Sequence, residues 1–208
     1  NIFYIYNASL PLRNDNYNWK EVLPGDTSET LWNEYLPFDM LPMVKNPSTG
    51  YIQNCNNTPF ITTDTDDDPD ISNYSKSLGI ETHMTNRALR ALETFGLDTS
   101  ITYDEFKAYK FDKEYSKSSY MASYINRGIK LIEKDYFINT FNDSTLNTAR
   151  IIFKRWDFNT DSTNTNATLP ILCFARILDV QPDLISDQTL IEDISFAINY
   201  LQVNHNSL

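Results

Sequence analysis

Seven of the nine prolines fall before Asp70, and this distribution limits what each part of the chain can become. Proline removes a backbone donor and clashes with the preceding helical turn, so stretches such as Leu36-Pro-Phe-Asp-Met-Leu-Pro42 cannot join long helices. Strands and loops are therefore expected up to about residue 70. Ile2 to Tyr6 and Tyr51 to Asn54 are the strand candidates, apolar or aromatic and bounded by turn residues. Pro47-Ser-Thr-Gly50 reads as the turn before the second strand.

Asp64-Thr-Asp-Asp-Asp-Pro-Asp70 marks an exposed loop, and beyond it the apolar period changes to a helical one. From about residue 85 the chain is expected to be mainly helical. Leu89, Leu92 and Phe95 share a face after Thr85, with Gly96 as a helix stop. Thr102 and Glu105 have capping-box spacing. Met121, Ile125, Ile129 and Ile132 run along a long helix that includes Gly128. Ser144 and Ser186 each stand at the head of a further helix. Ala167 to Leu178 is apolar and helix-length, and Pro170 either starts that helix or bends it.

Composition excludes several functions. With 28 acidic against 17 basic residues the net charge is −11, and no basic stripe is present to release counterions from a phosphate backbone, so no nucleic-acid partner is expected. The longest uncharged apolar run, Leu169 to Ala175, is far short of the roughly 20 residues a bilayer span needs. Five glycines leave little room for a phosphate-binding loop. Cys55 and Cys173 cannot form a disulfide framework, and neither His83 nor His205 sits at a metal-ligand spacing. Asn1 to Asn7 do not read as a signal peptide, and both ends read as cut from a longer chain.

Two clusters leave alternatives open. Asp64, Asp66 and Asp68 alternate like the first ligands of a calcium loop, but Pro69 replaces its glycine and Ser75 its bidentate glutamate, so a solvated acidic loop competes with that reading. In Asn46-Pro-Ser-Thr-Gly-Tyr-Ile-Gln-Asn-Cys-Asn-Asn-Thr-Pro59, three asparagines close a strand candidate. Their amides could offer fixed donors to a ligand or serve the turn itself. The plentiful Tyr and Phe residues read by default as core.

The order of motifs resembles the penicillin acylases and acyl-homoserine lactone acylases, a family of N-terminal nucleophile hydrolases. Asn1-Ile-Phe-Tyr4 with Leu10-Pro-Leu-Arg13 is similar to that family's strand and Pro-x-Arg turn. Leu23-Pro-Gly-Asp-Thr27, Leu36-Pro-Phe38 and Leu41 to Gly50 resemble its next segments. They lead into the most specific piece, Pro-x-x-Gly-Tyr-x-x-Asn-x-Asn-Asn-x-Pro. Thr85-Asn-Arg-Ala-Leu-Arg90 follows, and Trp156-Asp157 with Ser162, Ala167 and Leu169 resembles a later Trp-Asp stretch.

The resemblance implies that residues 1–208 are an internal part of a β chain. Residues 1–70 would supply strand material to an αββα sandwich, in an α+β fold, and residues 85–208 a helical part. It implies hydrolysis of a linear amide by a Ser, Cys or Thr freed at the start of the β chain by autocatalytic cleavage, its α-amine acting as base through a water. No nucleophile is expected among residues 1–208, so this piece alone is expected to be inactive. Asn56 takes the family's oxyanion-binding role, Arg87 matches the arginine that orients groups around the nucleophile's amine, and Asn54 supports them. Substrates would be N-acyl-homoserine lactones, β-lactams with an aryl-acetyl side chain, or acylated peptides. Catalysis would need no cofactor, although one of Asp64 to Asp70 could contribute to a structural calcium in the complete protein. The α chain and the rest of the β chain are the implied partners, at a periplasmic or secreted address. The rival reading is a non-catalytic extracytoplasmic module that binds sugar or peptide through exposed aromatics.

Overall fold

The first strand candidate forms, but its partner is not the second. In the computed structural model, which describes every residue except Ala8, Asp135, Ile138 and Asp179, β1 is Phe3–Ile5 and β2 is Met43–Lys45. They pair antiparallel, with Phe3 opposite Lys45 and Tyr4 opposite Val44. This pair is the one sheet among the described residues, so the chain is mixed α and β with little strand. The Pro47–Gly50 turn closes through the Gly50 N–H to the Pro47 carbonyl at 3.0 Å, with Gly50 at φ +75°, but it follows β2.

Tyr51 to Asn54, expected as a strand, is not one. A ladder needs repeated backbone bonds, and here side chains take their place. The Gln53 N–H does reach the Thr62 carbonyl at 2.9 Å, but the Ile61 carbonyl is taken by the side-chain amides of Gln53 at 2.9 Å and Asn57 at 3.0 Å.

The acidic loop is organised from within. Asp68 turns back so that its carboxylate accepts the N–H groups of Thr62, Thr63, Asp64 and Thr65 at 2.7 to 3.4 Å, plus the Thr62 hydroxyl at 2.7 Å. Asp67 accepts from both the N–H and the hydroxyl of Ser48, and Asp70 caps a short 3-10 turn at Ile71–Asn73. The loop is thus partly a scaffold, with Asp64 and Asp66 left exposed. Arg13 adds a second tie. Its guanidinium lies 5.4 Å from the Trp19 ring centre and 5.1 Å from that of Trp32, and it donates to the carbonyls of Ser77 and Leu78.

Helices begin where the period changed. Thr85 caps α1, Asn86–Thr94, and Thr102 with Glu105 forms the capping box of α2, Tyr103–Lys110. Next come α3, Tyr120–Glu133, and α4, Asp143–Arg155. The cap of α4 is Asn142, two residues before the expected Ser144, because its side chain accepts from the Thr145 N–H. Pro170 stands in the first turn of α5, Thr168–Phe174, where its missing N–H costs nothing. Ser186 caps α6, Asp187–His205, as its place at the head of that helix predicts.

The chain divides into two compact units, Asn1–Phe106 and Lys107–Leu208. In the second, α6 packs on α3 and α5, and α4 packs on the same two. Tyr124, Phe153, Phe174, Leu190, Ile194 and Ile198 fill its core. Gly128 lets α3 come close: a Cβ there would stand 3.3 Å from Ile194 and Phe153. Trp156 is buried and stacks on Phe158, while Asp157 accepts from Asn159 and Asn164, so the Trp-Asp stretch serves here as a packed turn. Not every aromatic is core: Trp32, Tyr35, Phe38 and Tyr103 are exposed.

Candidate functional site

Asn54, Cys55, Asn56 and Asn57 form a tight turn built from their own side chains. The Asn56 N–H donates to Asn54 Oδ1 at 3.1 Å, and the Cys55 N–H donates to Asn57 Oδ1 at 2.9 Å. The first is the turn that asparagine favours, its side chain accepting from the N–H two residues on, whereas the second runs backward, from Asn57 to the N–H two residues before it. Asn57 is buried, and its amide donates onward to the carbonyls of Thr58 and Ile61. Asn56 sits at φ +58°, a left-handed conformation that Asn tolerates better than most residues. The turn therefore has three amides, of which two are used for structure and one is presented outward.

Helix α1 approaches this turn with its N-terminal end. Arg87, in its first turn, donates from Nη2 to Asn56 Oδ1 at 2.8 Å and to the Cys55 carbonyl at 3.4 Å. A guanidinium has donors only, so the end of the amide that faces it must be oxygen. The Asn56 Nδ2 group consequently points away from Arg87, and it has no hydrogen-bond partner among the described residues. Thr85 also reaches the Cys55 carbonyl, at 2.8 Å. The adjoining strap is tied as well, the Thr58 N–H meeting the His83 carbonyl at 2.9 Å.

The electrostatics of this turn are simple. Burial pushes the Cys55 thiol up, and the nearby Arg87 charge partly opposes that, so Cys55 is not an activated thiol. In the strap that meets Thr58, His83 Nδ1 lies 2.5 Å from Glu81 Oε1. Burial alone would raise the Glu81 carboxyl, but its hydrogen bonds with His83 and Thr82 leave it below its ordinary value. Among the described residues no group of three or more His, Cys, Asp or Glu side chains is placed to hold a metal ion. Nor is any helix among them long and apolar enough to cross a membrane.

The three residues singled out from sequence thus lie together, with Asn56 between the Asn54 side chain and the Arg87 guanidinium. Sequence reasoning overlooked two others. Thr85 was legible only as a helix start, and Asn57 only as one member of an asparagine cluster. Which asparagine turns inward depends on the Ile61 carbonyl, which no local pattern announces.

A family model, penicillin amidase, matches residues 1–201. The chain belongs to the penicillin amidase family. It is also 41% identical over 59 residues to penicillin G acylase of Escherichia coli, a match that covers 28% of this chain and 7% of that enzyme's length. The family match takes in both compact units, including Asn54, Asn56 and Arg87.

Proposed function

We propose that this chain is part of the β chain of an amide hydrolase of the N-terminal nucleophile type, and that Asn56 is its side-chain oxyanion donor. The observation that carries this reading is the Asn56 amide, its oxygen held by Arg87 and its NH2 left free to donate. When a nucleophile adds to an amide carbonyl, the oxygen gains negative charge, and a fixed donor stabilises it without reorganising. Arg87 is then a positioning residue and Asn54 a support for the turn. Family membership favours this reading over a sugar- or peptide-binding module.

The finer terms of the proposal rest on the resemblance. The nucleophile would come from outside residues 1–208, freed by autocatalytic cleavage, and its α-amine would serve as base. Water would then hydrolyse the acyl-enzyme, releasing a carboxylic acid and an amine. Residues 1–70 would join an αββα sandwich with the rest of the precursor, and residues 85–208 would form its helical part. Linear amides such as N-acyl-homoserine lactones, aryl-acetyl β-lactams or acylated peptides are the proposed substrates. The proposed address is periplasmic or secreted. No cofactor enters the proposed chemistry, and calcium, with a ligand from Asp64 to Asp70, would be structural.

The test is Asn56→Ala in the complete protein, with maturation followed by intact mass. Turnover should fall about 100- to 1000-fold with processing preserved. Near-normal turnover in a fully processed Asn56→Ala protein would refute the assignment.

A further inference from the structure

The peptide group between Cys55 and Asn56 is held on both edges. Its N–H donates to Asn54 Oδ1 at 3.1 Å, and its carbonyl accepts from Thr85 Oγ1 at 2.8 Å and Arg87 Nη2 at 3.4 Å. Rotating that peptide would swing the Asn56 side chain, because the φ of Asn56 is measured about the next bond. The stronger of the two holds on the carbonyl comes from Thr85. Its hydroxyl is committed at both ends, since it also accepts the Ala88 N–H at 3.3 Å as the cap of α1. One hydroxyl therefore joins the start of the helix that carries Arg87 to the peptide that carries Asn56.

We infer that Thr85 is a positioning residue for the oxyanion donor, acting through the Cys55 carbonyl to hold Asn56 in register with Arg87. This rests on the reading of Asn56 given above. A clamp of this kind matters because a preorganised donor keeps its advantage only while its geometry is fixed, and displacement by an ångström can cost about 100-fold in rate. Loss of the hydroxyl would leave substrate contacts made elsewhere untouched, so the effect belongs in kcat rather than KM.

The experiment is a double-mutant cycle in the complete, processed protein, comparing Thr85→Val, Thr85→Ser, Asn56→Ala and the Thr85→Val/Asn56→Ala pair. Valine keeps the shape of threonine and deletes the hydroxyl, whereas serine restores it. Thr85→Val should lower kcat about 10- to 100-fold with KM within about threefold, and Thr85→Ser should recover most of the loss. In the Asn56→Ala background the same substitution should cost less than about threefold, because the residue it acts through is gone. Equal losses in both backgrounds would overturn the positioning role, as would a Thr85→Val enzyme with parental kcat. The second result, alongside an Asn56→Ala protein that has lost turnover, would sink only the Thr85 assignment. Parental turnover in Asn56→Ala would sink the donor reading itself. Should Thr85→Val fail to mature, the serine variant decides: a loss of kcat as large as valine was expected to give would refute the hydroxyl's role.

Discussion

Arg87 Nη2 donates to Asn56 Oδ1 at 2.8 Å across 31 residues of sequence, and this bond decides which end of the Asn56 amide is available. Asparagine alone is ambiguous, since it both accepts and donates. Paired with a group that only donates, it turns its oxygen to that group and its NH2 outward.

Asn56→Asp follows directly from that bond. Aspartate keeps the side chain's shape and pairs with Arg87, but an ionised carboxylate cannot donate. In the complete, matured protein turnover should fall about 100- to 1000-fold, as for loss of an oxyanion donor. The melting temperature should stay close to the parent's. Steady-state kinetics beside a thermal melt checks both.

Asp68→Ala should loosen the acidic loop, because it removes the acceptor of four backbone N–H groups. Buried Thr62 and Thr63 would then hold unsatisfied donors, each at a cost of about 1–3 kcal/mol. Amide hydrogen exchange at residues 62–65 should accelerate by at least tenfold, while exchange in α6 should be unaffected.

Phe174→Ala should be the costlier change in the helical unit. Its ring centre lies 5.7 Å from that of Tyr124 and 6.0 Å from that of Phe153, with no solvent exposure. Deleting it leaves a cavity that rigid aromatic neighbours cannot fill, at about 3–5 kcal/mol. Urea unfolding should show a lower midpoint with an unchanged slope.

Acid should destabilise the chain. Several carboxyls lie below their ordinary values: Asp67 through the Ser48 hydroxyl, Asp70 through the Ser72 N–H, Glu133 and Asp161 through hydrogen bonds from Lys154 and Lys113. A lowered folded-state value means the unfolded chain takes up protons first, so this stability is present above about pH 4 to 5 and lost as pH falls. The opposite case is Tyr4, pushed up to about 12 chiefly by burial. Its contribution is present below the ordinary tyrosine value of 10.0 and lost as pH rises through about 12. Urea midpoints measured at pH 3, 7 and 11 should therefore peak at the middle value.

Most helices were readable because their signals are local. The caps at Thr85, Thr102 and Ser186 and the apolar rows of α3 and α6 lie within a few residues of what they determine. The strands were less so. Tyr51 to Asn54 has the composition of a strand, yet among the described residues no strand pairs with it, and two side-chain amides occupy the Ile61 carbonyl beside it. The three candidate residues Asn54, Asn56 and Arg87 could be named from their motif, whereas the contact of Thr85 with the Cys55 carbonyl could not, since that partner lies 30 residues away.

Proline spacing, the acidic break and helical periodicity were enough to place the change from loops to helices near residue 85, because excluded backbone bonds and apolar faces act over short range. The tertiary structure decided which strands pair, which way Asp68 turns and which end of Asn56 is free. Those outcomes depend on where distant donors and acceptors come to rest, and a buried polar group must take whatever partner the whole fold brings to it.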